Sequence, residues 1–267
     1  MTGHMNARVC GSCLLSAAVL LLVAGCSGGA TGPGNGGDDG GNDGPAYSHT
    51  ENPGSSAEDF LSDGEFTSLT VEIDHVEGLE PSQEALDSLR VFLERRLNKP
   101  GGVTLSLDDA IAPPGGSPYS AAEIRDLEAS HRDVFTDGSE LAAYYLFLDG
   151  RFEQQNVLGV AYYNTSMAIF EQVIRDNSGG VGEPRTPVIE ATSVRHELGH
   201  VLGLVANGTP MAGEDHHDEA HGAHCTEQGT LMYYQVETTD FIENLDGGQV
   251  PPLDSLGIED LRANGGK

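Results

Sequence analysis

The segment His196-Glu197-Leu198-Gly199-His200 combines two imidazoles and a carboxylate at a spacing that suits metal chemistry. Residues four positions apart lie on the same face of an α-helix, so His196 and His200 can bind one metal ion. Glu197 lies one residue off that line, where it can hold a water molecule. The segment therefore predicts a zinc ion (Zn²⁺) bound by both histidines, with Glu197 as a general base beside it.

A catalytic zinc ion usually has three protein ligands and one position open to water, whose pKa falls toward about 7. Two histidines leave one ligand to be found. Four more histidines follow the predicted helix at short range: His216, His217, His221 and His224. A pair of surface histidines on an amphipathic helix is the simpler alternative, but Leu198, Val201 and Leu202 make this helix apolar around the motif.

These groups predict hydrolysis of a peptide bond by a zinc-dependent endopeptidase. A zinc-bound water would be the nucleophile, and Glu197 would take its proton and deliver it to the departing amine. Zinc hydrolysis of other amide bonds stays open, as does the substrate side-chain preference. The alternative from another class is a non-catalytic metal-binding surface lipoprotein, whose main feature would be the acidic, His-rich loop at residues 214–224.

Residues beyond the motif resemble the metzincin clan of zinc peptidases. Gly203 follows His200 at the spacing of the clan's glycine, and Thr230-Leu231-Met232-Tyr233-Tyr234 has the form of the Met-turn. The clan's third ligand would fall on Ala206, which cannot bind zinc. The resemblance covers roughly residues 66–267 and implies a metzincin-like zincin fold: a mixed twisted sheet, an active-site helix and a methionine beneath the metal.

The pair His224-Cys225, with Met232 after it, is similar in part to the archaemetzincins, in which the third histidine precedes a cysteine. This similarity favours His224 as the third zinc ligand. The metzincin resemblance also implies that Tyr234 binds or approaches zinc and stabilises the oxyanion, with a packed core tyrosine as the alternative. Residues 204–234 resemble predicted lipoprotein metalloproteases of myxobacteria as well.

The N-terminus has the pattern of an export signal. Arg8 precedes an apolar run at residues 14–24, and about eleven apolar residues are too few to span a bilayer. Val23-Ala24-Gly25-Cys26 resembles the lipobox of bacterial lipoproteins, so we predict a signal peptide at residues 1–25 and acylation of Cys26, for example with palmitate. This lipid would anchor the chain in the bacterial envelope, and Ser27 favours the outer membrane. Ordinary secretion is the alternative.

Composition limits the remaining possibilities. A net charge of −29 with only 13 Lys and Arg residues argues against nucleic acid as a partner and leaves a protein or peptide substrate and the membrane. Residues 26–60 are rich in Gly, Asp and Ser, which predicts a flexible tether before a catalytic domain at residues 61–267. We expect ordered structure to begin near Phe66.

Hydrophobic periodicity predicts the elements that must position the motif. Leu69, Val71 and Ile73 alternate with polar residues, as in a half-buried strand. Further strands are expected at residues 103–107, 141–148, 157–163 and 167–170. Helices are expected at residues 81–97, 120–135, 187–203 and 258–262. Strands and helices therefore alternate before the motif helix and end in consecutive strands, which indicates an α/β (α+β) fold.

Overall fold

The computed structural model describes residues 46–245 and 248–267. Its strands are β1 (Ser68–Val76), β2 (Gly102–Ile111), β3 (Glu140–Phe147), β4 (Gly159–Tyr163) and β5 (Ser166–Ile169). Its helices are α1 (Ala57–Leu61), α2 (Gln83–Arg96), α3 (Ala121–His131), α4 (Glu171–Asp176), α5 (Thr186–Val201), α6 (Thr239–Asn244) and α7 (Ser255–Ala263), with a 3₁₀ helix at Tyr234–Glu237.

The five strands form one mixed sheet in the order β2-β1-β3-β5-β4. β1 pairs in parallel with β2 and β3, and β3 pairs in parallel with β5. β4 lies at one edge and runs antiparallel to β5. The predicted mixed sheet and the predicted strand and helix order up to β5 are confirmed. Short α1, α4 and α6 were not predicted, because none of them has enough turns to show a helical period.

Apolar side chains cover both faces of the sheet. One cluster joins Leu69, Val71 and Ile73 of β1 to Leu89 of α2 and Leu198 of α5. The other cluster lies on the opposite face and includes Ile124 of α3 with Tyr144 and Leu146 of β3. α5 is therefore held against the sheet by the first cluster. Burial of this apolar surface is the main favourable term for the fold.

β1 differs from the half-buried strand that its alternation predicts. Glu72 and Asp74, expected on a solvated face, are both fully buried. Glu72 accepts hydrogen bonds from the backbone N–H groups of Asp133 and Val134 at 2.8 and 2.7 Å. Asp74 accepts one from the Tyr144 hydroxyl at 2.8 Å. The prediction of a solvated face was wrong because these bonds satisfy the buried carboxylates.

Among the described residues, ordered structure begins earlier than the expected position near Phe66. The described residues before β1 belong to the same compact unit as the sheet, and Phe60 and Leu61 of α1 are fully buried. The Asn164 amide donates to the Ser48 carbonyl at 2.9 Å, which ties residues before α1 to the sheet. Composition alone could not show this, because the partners of these residues, such as Asn164, come from distant parts of the chain. The predicted signal peptide and most of the predicted tether lie outside the described residues.

A buried pair of carboxyl groups joins α4 to α5. Glu171 and Glu190 are 0% and 1% exposed, and Glu190 accepts a hydrogen bond from the backbone N–H of Ser82 at 3.1 Å. Burial, and the neighbouring Glu190 carboxylate after it, raise the pKa of Glu171 from the usual 4.5 to about 9, although Arg175 opposes the shift. Glu171 is therefore expected to keep its proton in the folded protein at neutral pH.

Replacing Glu171 with Gln is expected to flatten the pH dependence of stability. The folded wild-type protein retains a proton that the unfolded chain releases above about pH 4.5, so its free energy of unfolding falls as pH rises toward about 9. Gln cannot titrate, and its amide can still donate to Glu190. Urea unfolding at pH 5 and pH 8 measures this slope. Glu84→Gln, at an exposed position, is the control. A slope as steep in Glu171→Gln as in wild type would contradict the raised pKa of Glu171.

Candidate metal centre

α5 carries the His-Glu motif through the core. Pro187 lies at its first turn, where the missing backbone N–H costs no helical hydrogen bond. Gly203, just beyond the helix, has a φ of +76°, a left-handed conformation that glycine adopts without strain. The predicted helix at residues 187–203 thus matches α5 with a turn after it. His196, Glu197 and His200 are all buried on this helix.

Three imidazole nitrogens converge at the end of the motif. His196 Nε2 lies 3.2 Å from His224 Nε2 and 3.2 Å from His200 Nε2. Zinc–nitrogen bonds of about 2.0–2.1 Å place two ligands of a tetrahedral ion about 3.3 Å apart. The spacing of the three nitrogens therefore fits a zinc ion.

Hydrogen bonds at the far side of two rings fix their orientation. His196 Nδ1 lies 2.6 Å from the Leu231 carbonyl, and His224 Nδ1 lies 2.6 Å from the His221 carbonyl. A carbonyl only accepts, so each Nδ1 carries a hydrogen and each Nε2 faces the centre.

The His200 ring is kept neutral by its surroundings. Burial, followed by the neighbouring His196 and His224 rings, holds the pKa of His200 well below its usual value. Its Nδ1 is buried without a hydrogen-bond partner among the described residues. A neutral imidazole is the form that binds a metal ion, so the lowered pKa of His200 agrees with the geometry. Burial also acts to lower the pKa of His224, but hydrogen bonding to Glu237 outweighs it and raises that pKa.

The other histidines of the loop before His224 lie elsewhere. His216 Nε2 lies 3.1 Å from a carboxylate oxygen of Asp260 on α7, and His217 Nε2 lies 2.6 Å from the Gly222 carbonyl. His221 pairs with Asp218 at 2.6 Å. Of the four candidate histidines, the structure brings His224 against His196.

Glu197 lies beside the three histidines and is 1% exposed. It lines a cleft of about 300 Å³ together with His200, His224, Pro53 and residues 159–161 of β4. Its Oε1 has no hydrogen-bond partner among the described residues. Burial, and after it the nearby Glu237 carboxylate, raise the pKa of Glu197 well above its usual value, while the Ala161 backbone N–H opposes the shift. This carboxyl group can therefore hold or release a proton in the cleft.

Gly159 leaves the space that Glu197 occupies. A Cβ on Gly159 would lie 2.7 Å from Glu197 Cγ and 2.8 Å from Oε1, closer than non-bonded carbon atoms approach. Gly159→Ala is expected to displace the carboxylate and lower hydrolytic activity by about 100-fold, because an error of about 1 Å in a catalytic group has an effect of that size. Peptide cleavage and zinc content should be measured together, and zinc content should not change.

Gly257→Ala is the control for Gly159→Ala, because a Cβ on Gly257 of α7 would make only ordinary contacts at 3.6–3.8 Å. Full activity in Gly159→Ala would contradict the steric argument. Loss of zinc would show instead that the substitution disturbs the histidines.

Met232 packs beneath the motif helix. It is 1% exposed, and a Cβ on Gly199 would lie 2.3 Å from its sulfur. Gly199 is thus required between the two helix histidines. The Cys225 backbone N–H donates to the Met232 carbonyl at 2.8 Å, and the Cys225 thiol lies 3.1 Å from the Thr230 hydroxyl. Met232 and Cys225 therefore support the turn that positions Leu231.

Tyr234 is not brought to the three histidine nitrogens by the structure. Its ring stacks on His221 with centroids 3.7 Å apart, and its hydroxyl accepts a hydrogen bond from Gln235 at 3.3 Å. It is absent from the described residues that line the cleft. The oxyanion role implied for Tyr234 has no geometric support here, because the 3₁₀ helix turns its side chain toward the loop.

Glu237 was missed by the sequence analysis. Its Oε2 lies 3.3 Å from His224 Nε2 and 3.9 Å from His196 Nε2. Burial opposes its ionisation, but hydrogen bonds with His196 and His224 outweigh this and lower the pKa of Glu237. No motif marks this residue, and the only sequence signal is an acidic residue soon after the Met-turn.

Comparison with known proteins finds similarity among solved structures. No protein-family model matches the chain, and no curated protein matches it. Among solved structures, the chain is similar to the crystal structure of archaemetzincin from Methanopyrus kandleri, with 14% identity, 74% of this chain and 96% of that chain covered, and a TM-score of 0.49. The resemblance to myxobacterial lipoprotein metalloproteases stays a prediction.

Proposed function

We propose that this protein is a zinc-dependent endopeptidase in which His196, His200 and His224 hold the metal. The observation that supports this most directly is the convergence of three buried nitrogens, with 3.2 Å separations from His196, next to the buried Glu197 carboxylate. Surface histidines have no reason to meet in this way. The Nδ1 hydrogen bonds of His196 and His224 hold both rings with Nε2 toward the centre, which suits a metal ion.

Glu197 is proposed as the general base. Zinc, when bound, acidifies a water molecule and polarises a carbonyl group. Glu197 Oε1 lies free at the cleft, where it can take a proton from the attacking water and pass it to the departing amine. Burial raises the pKa of Glu197, which makes its carboxylate a stronger acceptor for the proton of the water molecule.

β4 is the proposed binding edge for an extended peptide. It is an edge strand of the sheet, paired only with β5 among the described strands, and its residues 159–161 line the cleft. An extended peptide can add to such an edge through main-chain hydrogen bonds. This favours a peptide over a small amide as the substrate.

The full-length chain provides the direct test. We expect about one zinc ion per chain, and cleavage of a mixed peptide library that stops when a chelator removes the metal and returns when zinc is restored. Metal-dependent cleavage would support the endopeptidase. Bound zinc without cleavage of any peptide would reject it and favour the non-catalytic metal-binding lipoprotein.

We also propose that a lipid on Cys26 anchors the protein in the bacterial envelope, with the outer membrane as the expected location. Cys26 lies outside the described residues, and none of the helices described is both long and apolar enough to cross a bilayer. The lipobox supports the proposal. Incorporation of a labelled fatty acid into wild type but not Cys26→Ser would support acylation, whereas equal labelling would reject it.

A further inference from the structure

A carboxylate completes a four-membered group at the metal centre. The nitrogens of His196, His200 and His224 and one Glu237 oxygen all lie within 4.8 Å of one another. The Glu237 oxygen is 3.3 Å from His224 Nε2, close to the separation of about 3.3 Å between two ligands of a tetrahedral zinc ion. Its distance to His196 Nε2 is longer, at 3.9 Å. Glu237 thus lies where a fourth ligand would.

Hydrogen-bond chemistry argues for a cation among these groups. His196 and His224 both donate through Nδ1 to carbonyl oxygens, so each ring turns its Nε2 toward the centre. The Glu237 carboxylate adds a further acceptor 3.3 Å from His224 Nε2. Protons on the rings or one metal ion supply the positive charge that a buried carboxylate needs. A metal ion shared by all four groups supplies that charge at a single point.

The backbone of Glu237 is fixed, while its side chain has room to move. Its carbonyl accepts a hydrogen bond from the Leu158 backbone N–H at 2.8 Å, and Thr238 forms a β-bridge with Val157 just before β4. The Glu237 side chain is 27% exposed and lines the cleft. The carboxylate can therefore turn toward solvent without moving the strand that it borders.

We propose that Glu237 is a fourth protein ligand of the metal in the substrate-free protein and leaves the metal when a peptide binds. This inference rests on the proposed function. Four protein ligands close a zinc site, whereas catalysis needs one open position. This step is a ligand exchange at the metal. The Glu237 oxygen leaves the metal, and no covalent bond within the protein breaks. A peptide in the cleft would displace the carboxylate and so open the centre.

Metal binding by Glu237→Gln in the full chain tests the ligand directly. Gln keeps the size of the side chain and removes its charge. We expect zinc affinity, measured by competition with a coloured chelator, to fall by about tenfold or more. The visible absorption of the cobalt-loaded protein should also change, because it reports the ligands around the ion. Glu227→Gln, at an exposed position beyond His224, is the matched control and should leave both readouts unchanged.

Cleavage per bound zinc tests displacement. Because Gln cannot replace the anionic ligand, we expect Glu237→Gln to cleave peptides at least as fast per bound zinc as wild type. Zinc affinity and cobalt absorption equal to wild type would overturn ligation by Glu237. A fall in zinc affinity with cleavage lost would overturn the displacement. If zinc binding depends on Glu237 but the wild-type protein cleaves no peptide, the proposed peptidase is rejected and the ligand assignment is supported.

Discussion

Replacing Glu197 with Gln is expected to lower peptide cleavage by about 10²–10⁴-fold, the usual contribution of a general acid–base group, with zinc content unchanged. Gln fills the same buried space but cannot accept a proton from water. Glu197 is separate from the four groups that could hold a metal, so its charge is not needed to bind zinc. Steady-state cleavage and zinc content, measured on the same samples, check both parts.

The control for Glu197→Gln is Glu227→Gln, which removes one charge at an exposed position outside the cleft. Its activity and zinc content should equal those of wild type. Cleavage by Glu197→Gln at the wild-type rate would reject Glu197 as the base. Loss of zinc from this variant would mean that the carboxylate helps hold the centre together.

His224→Ala is expected to weaken zinc binding by more than about 100-fold, because even partners of a metal ligand contribute about 10–100-fold to affinity. His224 is 4% exposed, and its Nε2 lies 3.2 Å from His196 Nε2. Removal of the ring leaves two imidazoles and the movable Glu237 carboxylate. Zinc affinity, measured by chelator competition, tests this expectation. Peptide cleavage is measured on the same samples.

His221→Ala is the matched control for His224→Ala. The His221 side chain contacts Asp218 and Tyr234, while its contribution to the metal centre is the backbone carbonyl that accepts from His224. Alanine keeps that carbonyl, so zinc affinity should stay close to wild type. Unchanged affinity in His224→Ala, or a larger loss in His221→Ala, would reject His224 as the third ligand.

The part of the centre that lies on α5 could be read from local sequence. Helical spacing places His196 and His200 on one face whatever the remainder of the chain does, and Gly203 marks the end of the helix. The alternation of apolar residues likewise predicted β1 as a strand. Its buried Glu72 and Asp74 were not predicted, because their partners come from distant segments of the chain.

The remaining metal groups depend on pairing between loops. His224 is held by isolated β-bridges in which the next residue, Cys225, pairs with His217 and Tyr233. Hydrophobic periodicity in the sequence does not predict such contacts. Sequence spacing left four histidines open, and a family resemblance was needed to choose among them. Glu237 reaches the centre because its backbone pairs with Leu158, a residue far away in the chain.

The two edge strands of the sheet differ in how readily a strand of another protein molecule is expected to pair with them. β2 carries the exposed Asp108 and Asp109, and charges of this kind discourage a strand of another chain from pairing there. β4, with the sequence Gly-Val-Ala-Tyr-Tyr, has no charged residue. The edge suited to a substrate is therefore also the edge suited to self-association. The net charge of −29 opposes this by mutual repulsion, which salt would screen.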